Sequence, residues 1–124
     1  MIAPADLLGL WHLRSVAVAD AHGQLCRPFG LRPQGSIIYL ATGAMAVHIA
    51  GSDLAAGRRR IYAGSWSIAG DRVVHQVETS HEPELVGVRL ERRAELGDGV
   101  LVYRTVEAQG PGHPVVVWTR QSSA

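Results

Sequence analysis

Hydrophobic and polar residues alternate with a period of two along most of the chain, the pattern of strands with one buried face. Residues 11–16, for example, read Trp-His-Leu-Arg-Ser-Val, and residues 73–79 place Val, His, Val and Thr on one face. Helical periodicity is nearly missing. Only residues 3–9, with a proline near the start and a glycine at the end, predict a helical turn. The fold class predicted from this pattern is all-β.

Glycine-containing turns divide the alternating segments into strands. The turns at residues 42–43, 70–71 and 97–99 each lie between two alternating runs and predict β-hairpins. The segments predicted as strands are residues 11–16, 24–27, 36–41, 44–50, 60–69, 72–80, 87–96, 100–106 and 115–120. Roughly eight or nine strands at this regular spacing are typical of an antiparallel barrel or sandwich. No linker or repeat interrupts them, so residues 1–124 are predicted to form one domain.

The two ends of the chain predict how a barrel would close. A Gly-x-Trp sequence that ends at Trp11 opens the first long strand, and a Trp-Thr-Arg sequence that ends at Arg120 closes the last one. In a barrel whose end strands pair, the indole of Trp11 plugs the floor. The guanidinium of Arg120 then stacks on it, a cation–π contact worth roughly 0.5–2 kcal/mol.

The amino-acid composition excludes some classes of function. Apolar residues make up 47% of the chain, charged residues 19%, and the formal net charge is +1, which favours a globular protein over an electrostatic platform for nucleic acid. All 12 basic residues are arginine, so Schiff-base and lysine general-base chemistry are excluded. The chain has a single cysteine, Cys26, and it shows neither a signal-peptide pattern nor a long apolar run. These features predict a soluble, cytoplasmic protein without a membrane segment.

Several short motifs resemble the bacterial lipocalin-like domain family, whose members are small relatives of the calycin barrels. The motifs are Leu8-Gly9-Leu10-Trp11, Pro28-Phe29-Gly30, Gly35-x-x-Ile38-Tyr39, Gly43 to Val47, His75 to Glu78, Pro83-x-x-Val86-Gly87, Arg92 and Val117 to Arg120. The resemblance covers about residues 7–120. It implies a single antiparallel β-barrel of about eight strands with a short N-terminal helical turn, which holds one small, largely apolar molecule. Family members often carry a longer insert where this chain has only residues 51–60, so no ligand contact is carried over from there.

Two side chains are the candidate catalytic residues. His75 shares a face with Val73 and Val77, which predicts that it points into the barrel, where an imidazole can act as general acid or base. The alternative is an interior histidine that only makes hydrogen bonds. Arg92 follows Leu90 at a spacing of two, and an inward guanidinium would bind a carboxylate, an enolate or a polarised carbonyl oxygen. Charged neighbours crowd the same strand, so an outward salt bridge of Arg92 stays open.

Other side chains on inward faces are predicted to contact a ligand. They are Tyr39, Trp66, Val77, Leu90 and Tyr103. Aromatic side chains also fill small barrels without touching a ligand. The face of His48 is left open, although its neighbours Val47 and Ile49 fit the interior. His75 and His81 could share a face, but nothing indicates a third ligand and no phosphate-loop motif is present, so neither metal nor cofactor is predicted.

Two functions are predicted for a barrel that holds a small molecule. The first, implied by the resemblance, is a cofactor-independent cyclase, isomerase or dehydratase of natural-product biosynthesis, acting on a polyketide-like or terpenoid-like molecule. His75 would transfer a proton and Arg92 would stabilise an oxyanion. The alternative is a carrier that binds a small hydrophobic metabolite. A homodimer is left open, no nucleic-acid or membrane partner is predicted, and the three arginines at residues 58–60 are interpreted as a solvated loop.

Overall fold

The structure, a computed structural model, describes residues 2–20, 22–106 and 114–120. This part of the chain contains one short α-helix and nine β-strands. They are α1 (Pro4–Leu7), β1 (Gly9–Ala19), β2 (Leu25–Cys26), β3 (Gln34–Tyr39), β4 (Ala44–Ala50), β5 (Arg59–Ala69), β6 (Arg72–Ser80), β7 (Arg89–Gly97), β8 (Val100–Thr105) and β9 (Val115–Arg120). Two single 3-10 turns lie at Asp53–Ala55 and Pro83–Leu85. No helix within the described ranges has the length and apolar character needed to cross a membrane.

Eight of these strands close into a barrel. β1 pairs with β3, and from β3 to β9 every strand pairs antiparallel with the next one along the chain. β9 then pairs back with β1, which leaves these eight strands without a free edge. The two-residue β2 pairs with the end of β1 as an additional strand. The predicted all-β fold, an antiparallel barrel of about eight strands with an N-terminal helical turn, is confirmed.

The turn between β7 and β8 shows why hairpins form at the predicted glycines. Asp98 and Gly99 have positive backbone φ angles of 52° and 75°. Two successive residues with positive φ match a type I′ turn, whose twist fits a pair of antiparallel strands. Aspartate tolerates this conformation better than most residues, and glycine has no Cβ to clash. The hairpins β3–β4 and β5–β6 also lie where they were predicted.

Two irregularities change which side chains face the interior. The pairing of β1 with β9 shifts between Leu13 and Ser15, so that Leu13 is inside before the bulge and Val16 after it. Strict alternation would have placed Ser15 inside. The pairing of β5 with β6 shifts next to Gly64, where an added Cβ would meet the Gln76 carbonyl oxygen at 1.9 Å. Only glycine allows this close approach of two strands.

Trp11 and α1 close one end of the barrel. The Trp11 side chain is fully buried, and its Nε1 donates a 2.9 Å hydrogen bond to the Leu7 carbonyl oxygen. The guanidinium carbon of Arg120 lies 4.2 Å from the centre of the Trp11 ring. The Nη atoms of Arg120 donate to the carbonyl oxygens of Leu8 and Asp6. One side chain of β9 therefore holds both α1 and the start of β1, which is the closure predicted from the chain ends.

The closed half of the barrel is filled by the hydrophobic core. The most deeply buried apolar and aromatic side chains are Leu7, Trp11, Ile37, Tyr39, Val73, Val77 and Leu101. They come from α1 and from strands on all sides of the barrel, so the core lies on the barrel axis. The half of the barrel away from α1 is less completely filled, and this difference positions the site.

Arg120→Met should lower the free energy of unfolding by about 1–2 kcal/mol, because it removes the cation–π contact and two charged hydrogen bonds while keeping most of the side-chain volume. Equilibrium unfolding in urea measures the change. Arg104→Met is a matched control, since Arg104 forms an exposed ion pair with Glu95 at 3.2 Å and such pairs contribute about 0–1 kcal/mol. Equal losses in the two variants would contradict the closing role of Arg120.

Candidate functional site

A cavity of about 450 Å³ occupies the half of the barrel away from α1. This volume lies within the usual range of small-molecule sites. The apolar walls include Val16, Ile37, Val47, Ile49, Val116 and Trp118. Most of these side chains are short and branched, so they cover the strands without reaching across the axis. The space between them remains open, while larger aromatic side chains fill the barrel below.

Four buried polar side chains form a connected chain of hydrogen bonds at the base of the cavity. The Tyr62 hydroxyl lies 2.7 Å from His75 Nδ1, and His75 Nε2 lies 2.6 Å from the Tyr39 hydroxyl. The Tyr39 hydroxyl lies 2.6 Å from the Tyr103 hydroxyl. We call this set, in the order Tyr62, His75, Tyr39 and Tyr103, the tyrosine–histidine chain. Its two ends, Tyr62 and Tyr103, both line the cavity, as does His75.

Burial keeps every member of the tyrosine–histidine chain electrically neutral. Desolvation, with a smaller contribution from the charge of Arg92, lowers the pKa of His75 from 6.5 to about 3. Desolvation likewise raises the pKa of Tyr62 from 10.0 to about 12, and it raises the pKa values of Tyr39 and Tyr103 above the ordinary tyrosine range. Near neutral pH the imidazole therefore carries one proton and each hydroxyl carries its own.

Counting protons shows which hydrogen-bond donors and acceptors the tyrosine–histidine chain presents to the cavity. Three hydroxyls and a neutral imidazole hold four protons, whereas the chain contains three hydrogen bonds. One proton is left for the cavity. If Nε2 of His75 donates, the bonds run toward Tyr103, whose proton is free to face the cavity while Tyr62 offers only lone pairs. In the other tautomer the bonds run the opposite way and Tyr62 is the donor. The tyrosine–histidine chain thus presents one donor and one acceptor to the cavity, and the histidine tautomer decides whether Tyr62 or Tyr103 is the donor.

Arg92 supplies the positive charge inside the cavity. On β7 it stands opposite Val73 of β6 and Thr105 of β8, and it is one of the lining residues. Its Nη1 donates a 3.2 Å hydrogen bond to the Glu91 carbonyl oxygen. The structure therefore places the guanidinium on the inward face, the orientation that the sequence left open. Its neighbour Arg93 faces outward, where it approaches Asp71.

Three consecutive arginines border the cavity where β5 begins. We call Arg58, Arg59 and Arg60, which all line the cavity, the mouth arginines. Arg58 and Arg59 are exposed, whereas Arg60 is half-buried and forms a two-bond ion pair with Glu82 at 3.2 and 3.4 Å. These residues were interpreted from the sequence as a solvated loop. The structure shows that they also border the interior, because β5 begins at the rim of the barrel.

The residues predicted to contact a ligand lie at different depths. Tyr103 lines the cavity, and Tyr39 lies directly below it within the tyrosine–histidine chain. Trp66 packs against Tyr39 with ring centres 4.9 Å apart, and its Nε1 donates to the Leu40 carbonyl oxygen. Val77 and Leu90 belong to the packed core. Trp66, Val77 and Leu90 share the inward face of their strands but do not line the cavity; Val77 is buried in the core, whereas Trp66 and Leu90 are only partly buried.

One side chain of the candidate site was missed by the sequence analysis. Tyr62 holds Nδ1 of His75 and lines the cavity, yet it was not among the predicted site residues. Its spacing of four from Trp66 placed both on the inward face of β5. Alternation therefore indicated that Tyr62 faces the interior, but it did not show which inward aromatic side chain would contact His75.

His48 and His81, the two other histidines considered in the sequence, do not join this site. His48 lies exposed on the outer face of β4, opposite Ser36 and Ile61 on the neighbouring strands. His81 lies in the loop after β6, where its Nδ1 approaches the Ile61 carbonyl oxygen. Within residues 2–20, 22–106 and 114–120, no group of three or more His, Cys, Asp or Glu side chains is arranged to hold a metal ion.

Comparison with known proteins supports the resemblance seen in the sequence. The lipocalin-like domain family matches residues 8–61, so the predicted lipocalin-like character is confirmed over that part of the chain. No curated protein matches the chain significantly. A de novo designed fluorescence-activating β-barrel matches the structure with a TM-score of 0.53 and 16% sequence identity, covering 98% of this chain and 100% of the other. At that identity the similarity is one of fold.

The family match does not reach most of the candidate site. Of the tyrosine–histidine chain, only Tyr39 lies within residues 8–61, and Arg92 lies outside them. A closed β-barrel with an interior cavity is consistent with small-molecule binding. The roles of individual side chains are therefore inferred from their geometry.

Burial of neutral His75 should make stability depend on pH. Between about pH 6.5 and pH 3 the unfolded chain binds a proton at His75 that the folded chain does not, since the folded pKa is about 3. The stabilisation is fully present above pH 6.5 and is lost as the pH falls toward 3, by up to about 1.4 kcal/mol per pH unit. Urea unfolding between about pH 7 and pH 4 measures the slope. His75→Asn should remove most of it, and His48→Asn on the outer surface should keep it; equal slopes would contradict this account.

Proposed function

We propose that the barrel binds a small, largely hydrophobic molecule in its cavity and catalyses a proton transfer within that molecule, as a cofactor-independent isomerase or cyclase. The single observation that supports this proposal is that both ends of the tyrosine–histidine chain, Tyr62 and Tyr103, line the same cavity. A ligand held there has a hydrogen-bond acceptor beside one of its atoms and a donor beside another. Acid and base are thus available together without a cofactor.

The proposed step moves one proton along each bond of the chain. A C–H bond beside the ligand's carbonyl group breaks, and its proton passes to the Tyr62 oxygen while the Tyr62 proton passes to Nδ1 of His75. The Nε2 proton passes to Tyr39, the Tyr39 proton passes to Tyr103, and the Tyr103 proton forms a bond to a second atom of the ligand. Protons and electron pairs balance without an oxidant or reductant. Exchange with water at the two hydroxyls restores the first tautomer.

A relay of this kind suits groups with strongly shifted pKa values. The pKa of Tyr62 is raised to about 12 and that of His75 is lowered to about 3, so neither tyrosinate nor imidazolium forms readily. Because each member gives up a proton as it receives another, no member becomes charged. Arg92 would stabilise the negative charge that develops on the ligand's oxygen. In this proposal His75 connects the two tyrosines, since both of its ring nitrogens are engaged by hydroxyls.

The alternative function is that of a carrier. The observation that favours it is the same engagement of both ring nitrogens of His75, which leaves no imidazole lone pair directed at a ligand. A carrier needs only the apolar walls and one or two hydrogen bonds. Binding is common to both functions, and the two separate on whether the bound molecule reacts.

Ile49→Trp should weaken binding at least about tenfold, because the indole would occupy the mouth of the cavity beside the apolar wall. The probe is the neutral fluorophore N-phenyl-1-naphthylamine, titrated by its fluorescence increase. His48→Trp, one residue away on the outer face of β4, is the matched control and should bind the probe as the wild type does. Circular dichroism establishes that both variants are folded. Equal affinity in Ile49→Trp and the wild type would place binding outside the cavity.

Tyr39→Phe should lower the rate of a proton-transfer reaction by about 10²-fold or more, because it cuts the tyrosine–histidine chain while leaving both cavity-lining hydroxyls in place. The reaction measured is the conversion of cyclohex-3-enone to cyclohex-2-enone, followed by the absorbance of the conjugated product. His48→Asn is the control and should keep the wild-type rate. Binding of the fluorophore by Tyr39→Phe should change far less, since the hydroxyl is not part of the cavity wall.

Two outcomes would overturn the catalytic proposal. A Tyr39→Phe rate equal to the wild-type rate would show that the relay carries no proton. A wild-type rate no higher than that of buffer, together with normal fluorophore binding, would assign the protein to the carrier class.

A further inference from the structure

The outer surface of the barrel divides into a charged part and an uncharged part. On β6, β7 and β8 the outward side chains include Arg72, Glu91, Arg93, Glu95 and Arg104, and each has an oppositely charged group within 3.6 Å. A block of outward side chains on β1, β3, β4 and β5, by contrast, includes no Asp, Glu, Lys or Arg. We call this block the neutral face; it consists of Leu10, His12, Ser36, Ile38, Leu40, Ala44, Ala46, His48, Ile61, Ala63 and Ser65.

The neutral face is continuous, because its members stand side by side in the strand pairing. One row across the strands consists of Leu10, Ile38, Ala46 and Ala63, and the next consists of His12, Ser36, His48 and Ile61. The nearest arginines along these strands, Arg14 and Arg59, lie at its border. An uncharged centre with a polar border is the arrangement found in protein–protein interfaces.

Apolar side chains of the neutral face are exposed to solvent. Leu40 is 45% exposed, Ile61 39% and Ile38 36%. Other exposed apolar side chains, such as Leu31 and Val86, lie in loops and not on a continuous sheet surface. Single exposed apolar residues are common on soluble proteins, whereas a contiguous group of them marks an interaction site.

The shape of the neutral face is complementary to itself. Ala46 of β4 stands opposite Ile38 of β3, and Ala44 accepts a backbone hydrogen bond from Leu40, which directly follows β3. β3 therefore presents two long branched side chains, and β4 presents two methyl groups beside them. The result is a ridge next to a shallow groove, which a second copy turned by 180° can match with its own groove and ridge.

We propose that the neutral face binds a second copy of this chain and forms a two-fold homodimer. Ile38 and Leu40 of each copy lie over the alanine groove of the other. This dimer does not involve the interior cavity, because the side chains of the neutral face point away from the barrel axis.

Charge and strand pairing both favour a second copy over a different partner. Near a two-fold axis a side chain meets its own counterpart, so a face with charges of one sign would repel itself and an uncharged face does not. A nucleic acid would find no complementary charge on this face. The eight paired strands have no free edge, so the copies meet face to face and not by strand addition. The formal net charge of +1 adds little repulsion between whole copies.

The size of the neutral face sets the strength of the expected dimer. Four strands about 4.8 Å apart and three rows about 7 Å apart give a face of about 400 Å², so two copies would bury on the order of 1,000 Å², near the lower limit of specific interfaces. We therefore expect a dissociation constant of about 1–100 μM. Sedimentation equilibrium of the wild-type chain from about 1 to 500 μM spans this range, and the average mass should rise from that of one chain to that of two and then stay constant.

Ala46→Arg should weaken the dimer at least about 100-fold, because it places two guanidinium groups opposite one another in the grooves. Val86→Arg is the matched control: it exchanges a side chain that is 51% exposed, in the loop between β6 and β7, for the same charged one. This control should dimerise as the wild type does. Circular dichroism establishes that both variants are folded.

A second variant removes the ridge without adding a charge, and it decides the question if Ala46→Arg does not fold. Ile38→Gln/Leu40→Gln should weaken the dimer about 10- to 100-fold, because less apolar surface is buried on association. Leu31→Gln/Val86→Gln removes two exposed apolar side chains outside the neutral face and should leave the dissociation constant unchanged.

Four results would overturn the dimer or its position. A wild-type mass of one chain at every concentration would show that no dimer forms, and binding of that monomer to phosphatidylcholine vesicles would assign the neutral face to a lipid surface. A dimer of wild-type strength in a folded Ala46→Arg or Ile38→Gln/Leu40→Gln variant would place the contact elsewhere. Equal weakening in the variants and their controls would do the same. A mass that increases beyond two chains would contradict the two-fold arrangement.

Discussion

Pairing of the first long strand with the last is the constraint on which the interior depends. Without the β1–β9 pairing the sheet would have two open edges, and its inward side chains would face solvent along one side. Trp11 and Arg120, which are directly opposite in this pairing, join the closure to the floor formed by α1. The two ends of the chain therefore determine whether residues from the middle of the sequence, including His75, can share one enclosed space.

Closure also explains why the polar groups at the base of the cavity are linked to one another. A buried hydroxyl or imidazole without a partner costs about 1–3 kcal/mol, which favours hydrogen bonds between the hydroxyls and the imidazole at this place. The indole N–H of Trp118 is buried in the same barrel without a hydrogen-bond partner in the described part of the chain. Tyr39 does this for two neighbours, since its hydroxyl lies 2.6 Å from both His75 Nε2 and the Tyr103 hydroxyl. The same bonds that offset the cost of burial leave a donor and an acceptor at the two ends that line the cavity.

The sequence predicted the fold more completely than the site, and the reason is geometric. Alternation along each strand determines the inner and outer faces, which is why the inward position of His75 followed from its valine neighbours. Alternation contains no information about depth, so Val77 and Trp66 could not be separated from residues that line the cavity. Bulges interrupt the pattern as well, and at Ser15 one reversed the face that strict alternation gives. The meeting of Tyr62, His75 and Tyr39 depends on three strands at once and was beyond any local pattern.

The tyrosine–histidine chain has a further consequence for the binding of two tautomers of one molecule in the cavity. A keto compound has a C–H bond and an accepting carbonyl oxygen, whereas its enol has lost that C–H proton and has a donating O–H group. The chain can reverse its polarity in the same way, since its two tautomers exchange the roles of Tyr62 and Tyr103. Each form of such a pair therefore meets a complementary arrangement inside the same rigid barrel. The hydrogen bonds at the base of the cavity can therefore adapt to either form by the movement of protons alone, with no rearrangement of the strands.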